Sequence, residues 1–142
     1  MISPEAFNKS RILCDTDVVS FIFNGHTYAE YFKPYLTNKT LAISFMSIAE
    51  IYYGAYHGNW GTSKLLKLQN HLKNYVVLPY DFSLCLKWAD VRKELEKDRY
   101  NIGHSDCWIA ASALLYDCAL ATNNSRHYLH VKDLSLISPG LT

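Results

Sequence analysis

The sequence has no Cys-x-x-Cys pair, no long apolar run and almost no net charge. Its four cysteines, Cys14, Cys85, Cys107 and Cys118, stand far apart among apolar neighbours. That pattern predicts reduced, buried thiols in a cytosolic protein. Met1 to Ser10 carries Pro4, Glu5 and Lys9 and lacks the hydrophobic centre of a signal peptide. No uncharged stretch approaches the ~20 residues needed to span a bilayer, so a cytoplasmic protein without membrane contact is expected. The formal net charge of +1 neither advertises a nucleic-acid surface nor excludes one, because a local patch suffices. Repeats, linkers and low-complexity tracts are also missing.

What remains is an ordinary globule of 142 residues, 49% apolar and 19% charged. It is long enough for one domain with a real core, and residues 1–142 are read as that single domain. Arg11 to Cys14 predicts a buried strand that runs into Asp15, Thr16 and Asp17, with Thr16 or Asp17 as the cap of a short helix to Phe23. A second helix covers Tyr28 to Leu36. Leu41 to Ser44 predicts a strand leading into a helix from Phe45 to Tyr56, with Phe45, Ile48, Ala49, Tyr52 and Tyr56 on one face. Thr62 or Ser63 caps a helix to about Asn74, Tyr75 to Leu78 is a strand, and Asp81 caps a long amphipathic helix from Phe82 to Lys97. Ser105 or His104 is placed to cap a helix starting near Asp106 that carries no further charge until Asp117. A helix without a polar face is usually buried. Cys118 to Ala121 and Leu134 to Ile137 complete the strands, the last at an edge before Pro139 and Gly140. Short buried strands alternating with helices predict an α/β fold with a mostly parallel sheet of about five strands.

Acids or their amides sit at the ends of these buried elements. Asp15 follows the first strand, Asp106 opens a buried helix, and Asn124 follows the fourth strand. Glu50 is the only charge between Leu41 and Tyr56, and an unpaired buried charge is costly. In a parallel sheet the carboxyl ends of the strands lie along one edge, so residues distant in sequence converge there. Three carboxylates gathered without Lys or Arg repel one another; Mg²⁺ or Mn²⁺ among them removes the conflict, because these ions prefer oxygen ligands. The bland reading of Asp106 is a helix-start acid favoured by the helix dipole. His127 and His130, three residues apart, read as surface histidines.

Four segments together resemble the PIN domain, and within it the VapC-type toxins of bacterial toxin–antitoxin pairs. They are Leu13-Cys14-Asp15-Thr16-Asp17-Val18-Val19, Ile48-Ala49-Glu50-Ile51-Tyr52-Tyr53-Gly54-Ala55, Asp106-Cys107-Trp108-Ile109-Ala110-Ala111 and Leu120-Ala121-Thr122-Asn123-Asn124. The resemblance runs from about Arg11 to Pro139. It implies a PIN-like three-layer fold and a metal-dependent endoribonuclease, the toxin of a type II pair, whose acids hold Mg²⁺ or Mn²⁺ and activate water. Position by position, Asp15, Glu50 and Asp106 match the three acidic metal ligands. Thr16 and Thr122 match hydroxyls beside them, and Asn124 matches a fourth site that is often Asp in the family. His127 stands where many such toxins carry a further acid, which implies one firmly held ion rather than two. An RNA substrate, an antitoxin partner and a homodimer are further implications of the resemblance.

Two other readings stand beside it. Asp15-Thr16-Asp17-Val18-Val19 also fits the opening of haloacid-dehalogenase-like phosphohydrolases, whose first Asp is a nucleophile. That family needs a downstream Lys and a late acidic pair, yet after Asp106 only Asp117 and Asp133 remain, each without an acidic neighbour. The other is a PIN-like module that has lost catalysis and only binds RNA or protein, since a fold does not guarantee activity.

Overall fold

The computed structural model describes residues 9–139, so the expectations for Met1 to Asn8 and for Gly140 lie outside the described residues. Five strands, β1 (Arg11–Cys14), β2 (Thr40–Ser44), β3 (Val76–Leu78), β4 (Ala119–Ala121) and β5 (Leu136–Ile137), form one sheet in the order β3-β2-β1-β4-β5. Every pairing is parallel, with Leu13 opposite both Ala42 and Leu120. Six helices flank it: α1 (Thr16–Asn24), α2 (Ala29–Leu36), α3 (Phe45–His57), α4 (Thr62–Leu72), α5 (Phe82–Lys97) and α6 (His104–Leu115). This is the expected three-layer α/β architecture.

The layers follow from alternation along β1. Ile12 and Cys14 pack with Val18, Val19, Phe32, Ile51 and Leu68 on the α1–α4 side. Leu13 points the other way, into a core with Leu84, Val91, Ile109, Ala110 and Leu120 under α5 and α6. Strands buried on both faces read as continuous apolar runs, as β4 and Ile12 to Cys14 of β1 do. Ala110, Ala111 and Ala113 are fully buried, and their small side chains let α6 lie close to the sheet. Leu120 is fully buried on the central strand pair. Leu120→Ala is expected to lower the unfolding free energy by about 2–5 kcal/mol through lost transfer energy and a residual cavity. Urea denaturation would read it, and a loss below about 1 kcal/mol would mean the core collapses around the gap.

Several local expectations are corrected. α1 is capped by Asp15, whose side chain accepts from Thr16 N, rather than by Thr16 or Asp17. α4 and α6 are capped by Gly61 and Gly103 without side-chain hydrogen bonds, so Thr62, Ser63, His104 and Ser105 fall inside or at the start of their helices. Asp81 caps α5 as expected, accepting from Leu84 N at 2.8 Å. The buried stripe of α3 is Ser47, Ile51 and Ala55, while Ala49 and Tyr56 are exposed. The helix is rotated because Thr16 Oγ1 reaches the Ser47 hydroxyl at 2.8 Å, and a satisfied hydroxyl can be buried cheaply. All four cysteines are free, but Cys85 is exposed on the outer side of α5. Among the described residues, no helix is long and apolar enough to cross a membrane.

Candidate active site

Parallel pairing brings the carboxyl ends of β1, β2 and β4 to one edge of the sheet. Asp15 leaves β1 in an extended conformation and is 5% exposed. Its Oδ1 accepts from Thr16 N at 2.8 Å, and its Oδ2 accepts from Thr122 Oγ1 at 2.7 Å, just beyond β4. Glu50 reaches this edge from α3, because it lies one turn beyond the buried Ser47. Thr16 Oγ1 stands 2.8 Å from Glu50 Oε1 as well as from Ser47 Oγ. A hydroxyl has one proton, so Thr16 donates to Glu50 when it accepts from Ser47. Among the described residues, the partner of Glu50 within the protein is thus a hydroxyl rather than a Lys or Arg.

Asp106 comes from the first turn of α6, where the helix dipole favours a carboxylate. The turn before it is held by Arg92 of α5, which donates to the Ile102 carbonyl and to Asn101 Oδ1. Both Asp106 oxygens are engaged from the segment after β4. His127 Nδ1 lies 2.9 Å from Oδ2, and the Tyr128 hydroxyl lies 3.0 Å from Oδ1. The same hydroxyl lies 3.2 Å from Asp15 Oδ2. Asn124 does not touch the three acids directly. Its backbone N donates to Thr122 Oγ1, and its Nδ2 donates to Asp17 Oδ2. Because a carboxylate only accepts, this fixes the amide with its carbonyl turned away from Asp17.

The structure thus gathers Asp15, Thr16, Glu50, Asp106, Thr122 and Asn124, and adds four residues that sequence reasoning passed over. Ser47 was hidden by the misjudged face of α3. Asp17 looked like a cap but is a fourth acid at this edge, half-buried and accepting from Asn123 N and Asn124 Nδ2. His127 is exposed, as expected, but is also a partner of Asp106, while His130 stacks on Tyr100. Tyr128 follows a 3-10 turn, Ser125–His127, too short to give a periodic signal. A polar run ending in a lone aromatic was its sole mark.

Burial raises the pKa of Asp15 and Glu50, and the neighbouring carboxylates add to the rise. Asp17 is pushed up to about 7, first by burial and then by Asp15. Among the described residues, no Lys or Arg forms an ion pair with any of these four acids. Asp17 Oδ1 is buried without a hydrogen-bond partner. The Tyr128 hydroxyl has one proton for two carboxylate oxygens, so the two contacts share it. The site is short of positive charge, and its hard oxygen donors suit a hard divalent cation. Among the described residues, no three His, Cys, Asp or Glu side chains already stand close enough together to hold an ion. One or two carboxylates with waters suffice for such an ion, and Glu50 is the most exposed of the four acids.

Two open clefts flank the acids. One, of about 310 Å³, is lined by Asn101, Ile102, Gly103, Asp106, Arg126 and His127. The other, of about 270 Å³, includes Thr16, Glu50, Gly54 and Trp60.

Known proteins share this fold. The family model for the PIN domain matches residues 12–133. The chain is 26% identical to ribonuclease VapC2 of Rickettsia felis over 126 residues, which are 87% of this chain and 94% of the relative. It is also 26% identical to ribonuclease VapC1 of Haemophilus influenzae, covering 86% of this chain and 92% of that one. The crystal structure of VapBC2 from Rickettsia felis, bound to a DNA fragment from its promoter, superposes with a TM-score of 0.79 at 25% identity. That match covers 90% of this chain and 98% of the other. VapBC-1 from nontypeable Haemophilus influenzae gives a TM-score of 0.77, also at 25% identity, over 90% and 97% of the two chains. The chain belongs to the PIN-domain family.

Proposed function

We propose that this chain is a metal-dependent endoribonuclease, the toxin of a type II toxin–antitoxin pair, in which residues 1–142 act as one cytoplasmic domain. The observation that carries the reading is the convergence of Asp15, Glu50 and Asp106 from three elements, beside hydroxyls and without a Lys or Arg partner. Relatives named as VapC ribonucleases, and solved VapBC assemblies, support the RNA substrate and the antitoxin partner. A homodimer rests on the family resemblance alone.

In this reading Asp15, Glu50 and Asp106 hold Mg²⁺ or Mn²⁺. When bound, the ion activates water and offsets charge on the reacting phosphodiester. Thr122 and the Thr16 amide fix the orientation of Asp15, and the Thr16 hydroxyl does the same for Glu50. Asn124 presents its carbonyl from the far side of the Asp17 contact. Arg126, on the cleft beside Asp106, meets RNA phosphates and makes binding weaken as salt rises.

The test is cleavage of a mixed pool of structured and single-stranded RNA with Mg²⁺, with Mn²⁺ and with EDTA. Cutting that requires the metal supports the nuclease. Metal binding without cutting of any RNA favours a binding module, and no metal binding removes the catalytic reading. Because a neutral amide holds a hard dication less well than a carboxylate, calorimetric titration without RNA is expected to give one firm site. Two tight sites would reject the reading of one firmly held ion.

A further inference from the structure

The Tyr128 side chain is 1% exposed and packs with Leu13, Leu120 and Cys107 beneath α6. A tyrosine buried this deeply needs a partner for its hydroxyl. This one has two, Asp15 Oδ2 at 3.2 Å and Asp106 Oδ1 at 3.0 Å. Those acids lie on different elements and share no other bridging residue among the described contacts. Asp15 keeps two further donors, Thr16 N and Thr122 Oγ1. Asp106 has only His127 besides, and that ring is 44% exposed. The orientation of Asp106 toward Asp15 therefore depends on one hydroxyl approaching from the core.

We propose that Tyr128 is a positioning residue, whose hydroxyl ties Asp15 to Asp106 from the core side and sets the spacing at which they present a divalent cation with ligands. The inference rests on the metal-dependent reading above. A tyrosine that merely filled the core would be replaced by phenylalanine without consequence for the ion. A positioning hydroxyl is not replaced, because outer partners that orient ligands typically govern metal affinity by 10–100-fold.

The test compares Mn²⁺ binding by calorimetry to the wild-type chain and to Tyr128→Phe at one pH, with metal-free melting curves of both. Tyr128→Phe is expected to fold and to bind Mn²⁺ about tenfold more weakly or worse. Equal or tighter binding by the variant, with the wild type binding normally, overturns the positioning role and leaves the nuclease reading intact. Failure of the wild type to bind Mn²⁺ overturns both. Should Tyr128→Phe not fold, the wild type labelled with ¹³C at the tyrosine Cζ gives the answer. The Tyr128 resonance is expected to move when Mg²⁺ is added, and an unmoved resonance rejects the tie.

Discussion

Asp106→Asn is expected to reduce RNA cleavage by on the order of a thousandfold or more, while leaving the fold intact. Its rival role, stabilising the start of α6, contributes little. Gly103 is the cap, no side chain bonds the free amides there, and a first-turn acid contributes only about 0.3–1 kcal/mol. Against that small loss stands relief of repulsion, since Asp106 raises the pKa of Asp15, Asp17 and Glu50. The metal-free variant should therefore melt at or above the temperature of the wild type. A fall of more than about 5 °C, equivalent to roughly 1–2 kcal/mol in a chain of this size, would return Asp106 to a structural role. Cleavage within tenfold of the wild type would remove it from the chemistry.

The second large effect is a dependence of stability on pH that divalent ions erase. Asp15, Asp17 and Glu50 all have raised pKa values in the folded chain, Asp17 to about 7. Between the unfolded value near 4 and the folded one, the native state holds protons that the unfolded state has lost. The metal-free protein is thus most stable below the unfolded value, and it loses that advantage as pH rises through the folded one. For Asp17 the loss on going from pH 4 to pH 8 is on the order of a few kcal/mol. Denaturant midpoints in EDTA should fall across this window. Saturating Mg²⁺ should flatten the curve near neutral pH, because an ion that binds only the folded chain stabilises it by mass action. A midpoint that climbs from pH 4 to pH 7 in EDTA would show that the acids are not a strained cluster.

The sheet and most helices were legible because each has a clear local signature. β4 and β1 after Arg11 are uninterrupted apolar runs, and α6 is a helix without a polar face, as burial on both sides requires. Asp15, Asp106 and Thr122 were legible for the same reason, standing where such elements start or stop. What stayed hidden depends on contacts between elements. The buried face of α3 includes Ser47, which Thr16 contacts, so apolar periodicity, which counts Ser as polar, finds Phe45, Ile48 and Tyr52 but wrongly adds Ala49 and Tyr56. Asp17 reads as a helix-start acid until Asn123 and Asn124 fold over it. Pairing of His127 with Asp106 spans 21 residues and leaves no trace in local spacing.

The order of the strands also decides when the site comes into being during synthesis. β1 lies at the centre of the sheet, yet one of its two neighbours, β4, is made more than a hundred residues later. Until β4 is added, β1 has an open edge, and Asp15 lacks both Thr122 and Tyr128. A growing chain with β1, β2 and β3 already paired therefore carries an exposed strand edge of the kind that invites misassembly. Closing it requires contacts across most of the sequence, which makes the last step the slow one. The contacts that hold Asp15 are complete only once the final quarter of the chain is in place.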